Sequence, residues 1–362
     1  MRGCDRSPPI KPVIDDISRV TGEVSQLVLI YEGEGDGTDG SGLKEVRLWY
    51  RHSDDKEWVR TERANTAPRG EIYFTEPSKP GLYFFDLVAV DQAGNESAKP
   101  AGTDGQKRFR FQNRAQIEKA TANAGQSQLP DVEGVLSSAA PPPGWMHVPV
   151  YFHLISQDVL TDASRLQIAE QISVLNRAFS SGKIAFSIAG ADTNPNPSWS
   201  DLYFGSPSEN DMKVALAIST ESQLNVYVTE TRNGILSWST FPWELAADPN
   251  LDGCVIRPDT LPGGVPPFDE GKTLVHCVGH WLGLYHTFQG GCAGPGDYVA
   301  DTPAHNLASF GIPKEEGACK AGEFTPIANY MNYADDSLQK EFTSGQYLRM
   351  RKAVAAYRTA LL

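Results

Sequence analysis

The sequence predicts a multidomain chain, an all-β sandwich followed by an α/β (α+β) domain. Three observations predict it. Residues 1–112 hold short alternating strands punctuated by Gly, Pro and Asn, the pattern of a small β-sandwich. Residues 113–145 are small, polar and proline-rich, the composition of a linker. Residues 146–362 alternate strand and helix periodicities, which packs helices onto a sheet.

In the first domain, "KEVRLWYRH" sets Val46, Leu48 and Tyr50 against Glu45, Arg47 and Trp49, a half-buried strand. "GLYFFDLVAVDQAGN" continues with Tyr83, Phe85, Leu87 and Ala89 and ends in a turn at Gly94-Asn95. This module resembles the immunoglobulin-like and fibronectin-type modules of secreted proteins, a likeness that says little about function. The acidic, glycine-rich stretch Glu32 to Gly42 lacks the carboxylate spacing of an EF-hand and reads as a solvated loop. In the linker a short helix is expected near Ala115 to Ala122.

The second domain opens with the alternating strand "MHVPVYFHLIS". A helix follows, with Ile168, Ile172, Leu175 and Phe179 on one face. "KIAFSIAGA" and "QLNVYVTE" read as further strands, with the helix "ENDMKVALAIS" between them. A last helix is expected from Ser344 to Leu362.

The chain of 362 residues is long enough for two cores. Its 32 Lys plus Arg against 45 Asp plus Glu give a net charge of -13, which argues against a nucleic-acid partner. No apolar run is long enough to span a bilayer. The start "MRGCDRSPPIKP" lacks the apolar core of a signal peptide. Five cysteines is an odd count, so at least one is free or pairs outside the chain.

The chemistry is concentrated in "TLVHCVGHWLGLYHTFQGGC", Thr273 to Cys292. His276 and His280 are four apart, so a helix places both imidazoles on one face, a turn apart, able to grip one metal. Gly283 can adopt a left-handed conformation, end the helix and turn the chain back. That turn brings His286 round as a third ligand. Three protein nitrogens leave a fourth zinc position open, the catalytic arrangement. Leu274, Val278, Trp281 and Tyr285 form the opposite, apolar face. Only 7 histidines exist, and three fall in H-x-x-x-H-x-x-G-x-x-H, a spacing far more specific than the bare pair. His147, His153 and His305 have no partner spacing and read as structural.

Downstream, "ANYMNYADD" supplies Met331, with Tyr333 two residues on, which is similar to the methionine turn that metzincins carry beneath the metal. Together with "TFPWE", "LPGG", "GHWLGLYHTFQGGC", "GDYVADTPA" and "EFTSGQ", these motifs make the chain from Met146 to Leu362 similar to the pappalysin family of metzincin zinc metallopeptidases. The resemblance implies a zincin-like catalytic domain, a zinc cofactor, peptide or protein substrates and an extracellular location. It implies that Tyr333 stabilises the oxyanion of the tetrahedral intermediate. It places Asp336 at the base of a specificity pocket favouring a basic residue after the scissile bond. Asp297 and Thr302 match a calcium-binding segment, with Ala300 where an aspartate is expected. Of the family's two loop disulfides, Cys292 and Cys319 match one pair, while Ile312 and Leu338 occupy the other two positions. A Cys292–Cys319 bridge is therefore expected, implying an oxidising compartment. Cys4 and Cys254 have no assigned partner, and no surrounding motif supports a zinc-masking role for Cys4.

Cys277 departs from the pattern. It stands where the family carries the glutamate that takes the water's proton and passes it to the leaving amine. The thiol ends two bonds nearer the backbone, so it falls short both of that water and of the metal. Zinc binding should survive, because the glutamate is not a ligand. The chain thus reads as a secreted zinc endopeptidase with weakened or absent activity. The alternative is a zinc-holding pseudoprotease that binds peptides or proteins. A third reading makes Cys277 a redox brake.

Overall fold

The computed structural model describes residues 9–20, 26–32, 43–75, 77, 79, 81–102, 105–111, 132–155, 159–232, 235–311, 317–320 and 322–362. Cys4, most of the acidic loop, the helix expected at Ala115 to Ala122, and Ile312 lie outside them. The chain divides into two compact units, Met1–Asn113 with Val265–Pro267, and Arg114–Gly264 with Phe268–Leu362.

The first unit is all-β. Strands β1 (Val13–Val20), β2 (Gln26–Glu32) and β5 (Arg69–Thr75) form one antiparallel sheet in the order β1-β2-β5. Strands β3 (Leu43–His52), β4 (Val59–Asn65), β6 (Gly81–Asp91) and β7 (Lys107–Phe111) form a second, in the order β4-β3-β6-β7. Alternate residues of both sheets build one core: Leu27, Leu29, Tyr31 and Phe74 from the first, and Val46, Leu48, Phe85 and Leu87 from the second. Period-2 side chains allow this, since each strand lends one face to the interior. After β6 the Asp91 carboxylate accepts from the amide of Asn95 at 2.7 Å, closing the turn that contains Gly94 at φ +89°.

The second unit is mixed α/β. Strands β8 (Met146–Leu154), β9 (Ile184–Thr193), β10 (Leu224–Val228), β11 (Ser237–Ser239) and β12 (Cys254–Ile256) make a five-stranded sheet in the order β11-β12-β10-β8-β9. Four strands run parallel, and β11 pairs antiparallel with β12 at the edge. The central strands β10 and β12 are buried along their whole length, as strands covered on both faces are, while β8 alternates and edge strand β9 is largely open. Helix α2 (Asp162–Phe179) starts at Thr161, whose side chain accepts from the amide of Ser164 at 3.1 Å. Its Ile168, Ile172, Leu175 and Phe179 are all buried in the core. Helix α3 (Pro207–Leu216) begins at a Ser206 cap. Helix α4 (Lys272–Trp281) carries the first two histidines of the motif, with Leu274, Val275, Val278 and Trp281 in the core. None of the helices among the described residues is long and apolar enough to cross a membrane.

Two expectations need correction. The stretch 113–145 is not wholly a linker: helix α1 (Val132–Ser138) lies within it. Val132 and Leu136, one turn apart, are buried with Trp243, Tyr285 and Ala353. Glu133 makes a two-pronged pair with Arg349 at 2.7 and 2.6 Å. A weak compositional signal concealed a helix that tertiary packing stabilises. The last helix, α5 (Ser344–Tyr357), stops short of Leu362. Arg358 leaves helical geometry (φ -127°, ψ 50°), and its guanidinium grips the Asp252 carboxylate at 2.6 and 3.0 Å, both side chains fully buried.

That pair also holds the site helix. Asp252 accepts from the indole of Trp281 at 2.8 Å, and the Arg358 guanidinium lies 3.9 Å from the Trp281 ring centre. Removing one member of a buried pair strands the other charge, costing about 3–5 kcal/mol. Asp252→Ala should lower the stability of the metal-free chain by that amount in chemical denaturation. A loss within experimental error would show that Arg358 does not anchor the helix.

Candidate metal centre

Helix α4 ends where Gly283 takes φ +99° and donates its amide to the His280 carbonyl at 2.8 Å. A Cβ there would meet the Cβ of Ala353 at 2.8 Å, so both the backbone conformation and the space require glycine. The reversal carries the chain back so that His286 faces His276 and His280. The Nε2 atom of His280 lies 3.0 Å from Nε2 of His276 and 3.0 Å from Nε2 of His286.

Backbone carbonyls set the tautomers of the first two rings. His276 Nδ1 is 2.7 Å from the Tyr330 carbonyl and His280 Nδ1 is 2.7 Å from the Leu284 carbonyl. A carbonyl only accepts, so Nδ1 carries the proton and Nε2 presents a lone pair. Burial disfavours the charged forms. It pushes His276 down to about 4 and His280 to about 3, and holds His286 well below the usual histidine range. Neutral nitrogens at this spacing repel through their lone pairs unless a cation lies between them. Tetrahedral zinc with nitrogen at about 2.0–2.1 Å sets its ligands roughly 3.3 Å apart, close to what these atoms show. Among the described residues this is the one cluster of His, Cys, Asp or Glu that converges in this way. The donor set fits zinc.

Aromatic rings and a methionine wall the cluster. Phe288 stacks on His286 at 4.9 Å and Phe241, from "TFPWE", meets His280 edge-on at 5.5 Å. Met331 is fully buried beneath, and a Cβ at Gly279 would come within 2.4 Å of its sulfur. The turn around Met331 is pinned by Asn329, which exchanges side-chain hydrogen bonds with Gln346 of α5 at 2.7 and 3.0 Å. Tyr333 enters the cluster directly, its hydroxyl 2.9 Å from His286 Nε2.

Cys277 points elsewhere. Its thiol donates to the Trp238 carbonyl of edge strand β11 at 3.0 Å, and the residue is fully buried. Direction as well as reach separates it from the metal. Cys254 on β12 lies against it, also fully buried. Burial raises the Cys254 thiol well above the ordinary range, with the neighbouring Cys277 adding to the effect.

The remaining residues singled out from the sequence fall as follows. Cys292 and Cys319 form a disulfide with Cα atoms 5.3 Å apart. Asp297 and Thr302 meet, but the Thr302 hydroxyl lies 2.7 Å from both carboxylate oxygens, and no further acidic group joins them in a metal cluster among the described residues. Calcium needs about six to eight oxygens, so this pair gives calcium no support. Burial pushes Asp297 up to about 6. His153 spends both nitrogens on Asp192 and Asn225 at 3.0 and 3.1 Å. His305 lies 3.0 Å from the Pro303 carbonyl and 3.3 Å from the Thr287 hydroxyl.

Asp336 has a role that sequence reasoning missed. It is buried, and its Oδ2 accepts from the amides of Glu270 and Lys272 at 2.9 and 3.2 Å. Helix α4 begins there on Gly271, at φ +76°, which has no side chain to cap it. Asp336 supplies the cap from across the fold and so links the methionine turn to the ligand helix. Desolvation raises its carboxyl to about 8. No sequence signal announces a cap 64 residues away. Losing a cap acceptor costs about 0.5–2 kcal/mol. Asp336→Ala should lower the thermal midpoint of the metal-free chain accordingly, and Asp336→Asn, which keeps an acceptor oxygen, should recover most of the loss.

The comparisons with known proteins agree with the geometry. The family model described as pregnancy-associated plasma protein-A matches residues 217–355. An extracellular metalloprotease of Neurospora crassa is 38% identical over 266 residues, covering 71% of this chain and 88% of that protein. One from Verticillium alfalfae is 43% identical over 228 residues, covering 59% and 77%. Among solved structures, a promirolysin variant of Tannerella forsythia aligns with TM-score 0.56 at 24% identity, covering 69% of this chain and 92% of that one, a likeness of fold. Mature mirolysin of the same organism, in complex with a cleaved peptide, aligns with TM-score 0.51 at 26% identity, covering 61% and 99%. With three histidine nitrogens converging above a buried methionine and a relative this similar over most of its length, the chain belongs to the pappalysin family of metzincin metallopeptidases.

Proposed function

We propose that this chain is an extracellular, zinc-dependent endopeptidase of the pappalysin type whose hydrolytic step is weakened at its proton transfer. One contrast carries the reading: three neutral imidazoles converge through Nε2, while the side chain at the proton-carrier position is turned into the wall onto the Trp238 carbonyl. Bound to His276, His280 and His286, zinc would lower the pKa of a water and polarise a scissile carbonyl. Tyr333, whose hydroxyl reaches the cluster, would donate to a developing oxyanion. Cys277 holds no proton acceptor toward the cleft. General acid–base transfer contributes about 10²–10⁴-fold, and a deficit of that order follows.

Peptide or protein substrates fit this reading. Residues 1–112 are proposed as an accessory immunoglobulin-like or fibronectin-type sandwich. The peptidase domain is proposed to reach back to Val132, since α1 shares its core. A preference for a basic residue after the scissile bond rests on Asp336.

The alternative is a pseudoprotease that holds zinc and binds peptides without cutting them, and the burial of Cys277 favours it. Measuring bound zinc, then cleavage of basic-residue peptides by this chain and by Cys277→Glu, separates the two. Stoichiometric zinc in both, with kcat/KM about 10²–10⁴-fold higher for Cys277→Glu, is expected. Equal rates would overturn the proton-transfer account. Zinc without cleavage in either form would favour the binding module, and no zinc in either would end the site reading.

The charge of Asp336 gives a pH signature. A carboxyl raised to about 8 is neutral below that pH and negative above it. In the Cys277→Glu chain, the ratio of kcat/KM for Arg-containing over Leu-containing peptides should therefore climb as pH passes 8. A ratio constant across that window would remove Asp336 from substrate selection.

A further inference from the structure

Cys254 and Cys277 have no place in the chemistry above, yet they meet. Cys254 lies on β12 and Cys277 on α4, both fully buried as free thiols in one apolar core and near enough for each to perturb the other. The surrounding register explains the encounter. Trp238, whose carbonyl receives the Cys277 thiol at 3.0 Å, pairs with Val255, and its neighbour Ser239 pairs with Cys254. Helix α4 thus crosses the sheet where β12 presents its cysteine, and both sulfurs sit in the same apolar core. The chain also carries the Cys292–Cys319 bridge, so it folds where cystines form and persist.

We infer that Cys254 and Cys277 form a second disulfide, a covalent tie between the zinc-ligand helix and the sheet. The bond forms by exchange with a low-molecular-weight disulfide such as oxidised glutathione. The thiolate of one cysteine attacks the small disulfide and releases one reduced thiol. The second cysteine then attacks the mixed disulfide and releases the other. Two protein thiols are oxidised to one cystine and one small disulfide is reduced to two thiols, so atoms and electrons balance. Burial keeps the Cys254 thiol protonated once the core has closed, and only thiolate attacks. The exchange therefore takes place on the folding chain. In the bridged form the residue at position 277 is a structural tie, which accounts for a cysteine there without any part in catalysis. The inference stands whether or not the chain cuts peptides.

Thiol counting tests it. A Cys4→Ser chain retains four cysteines, Cys254, Cys277, Cys292 and Cys319. It is folded in a mixture of reduced and oxidised glutathione, then unfolded in guanidinium without reductant and titrated with a thiol reagent. No titratable thiol is expected, and a pepsin digest should yield a linked peptide pair containing Cys254 and Cys277. With Cys254→Ser added, one thiol should appear, at Cys277. Counting on unfolded protein exposes every remaining thiol to the reagent, and the Cys292–Cys319 linked peptide in the same digest reports that the variant folded. Two thiols in the Cys4→Ser chain would overturn the inference, as would either cysteine linked to a different partner or to glutathione.

Discussion

Three imidazole nitrogens gathered within 4.8 Å of one another on half-buried rings are the constraint on which the rest of the second unit depends. Lone pairs gathered in this way repel one another unless a cation neutralises them, and a ring that takes a proton cannot bind that cation. The fold answers both demands. Backbone carbonyls of Tyr330 and Leu284 take the Nδ1 protons, and burial drives each ring toward its neutral form. Phe241, Phe288 and Met331 supply that burial with side chains that offer no competing charge.

Holding the lone pairs together requires that helix α4 not move. Four ties from distant parts of the chain secure it. Asp252 and Arg358 clamp Trp281 at its C-terminal end, and Asp336 caps its first turn. Met331 packs beneath Gly279, and Arg349 donates to the Gly283 carbonyl at 2.8 Å while pairing with Glu133 of α1. The edge strand above is fixed in turn by Glu209, which accepts from the Trp238 indole at 2.6 Å and pairs with buried Lys213 at 2.7 Å. Buried charges are costly unless matched, so these pairs act as geometric locks as much as sources of stability.

On the function proposed above, position 277 separates metal binding from catalysis. The ligands and their tautomers depend on groups that the cysteine does not touch, so the centre keeps its form. What the cysteine would change, on that proposal, is the proton path. Its sulfur is short and finds its partners in the wall, at Trp238 and Cys254.

Much of this was legible in the sequence because it is local. The spacing of His276, His280 and His286 around Gly283 sets one helical face and one turn, and the motifs that follow gave the family, the methionine and the Cys292–Cys319 bridge. The amphipathic face of α2 was equally plain, since Ile168, Ile172, Leu175 and Phe179 follow helical periodicity. Helix α1 was hidden, because seven residues without strong propensity are helical only when packed. The family pattern singled out Asp336 by its place after Tyr333, but its cap to Glu270 and Lys272 arises from a chain crossing that no spacing encodes. The sequence alone determined which three histidines converge, since that follows from helical spacing and one glycine turn within a few residues. Only the tertiary structure decided where the Cys277 thiol points and that Cys254 lies beside it, because that contact depends on how α4 crosses the sheet.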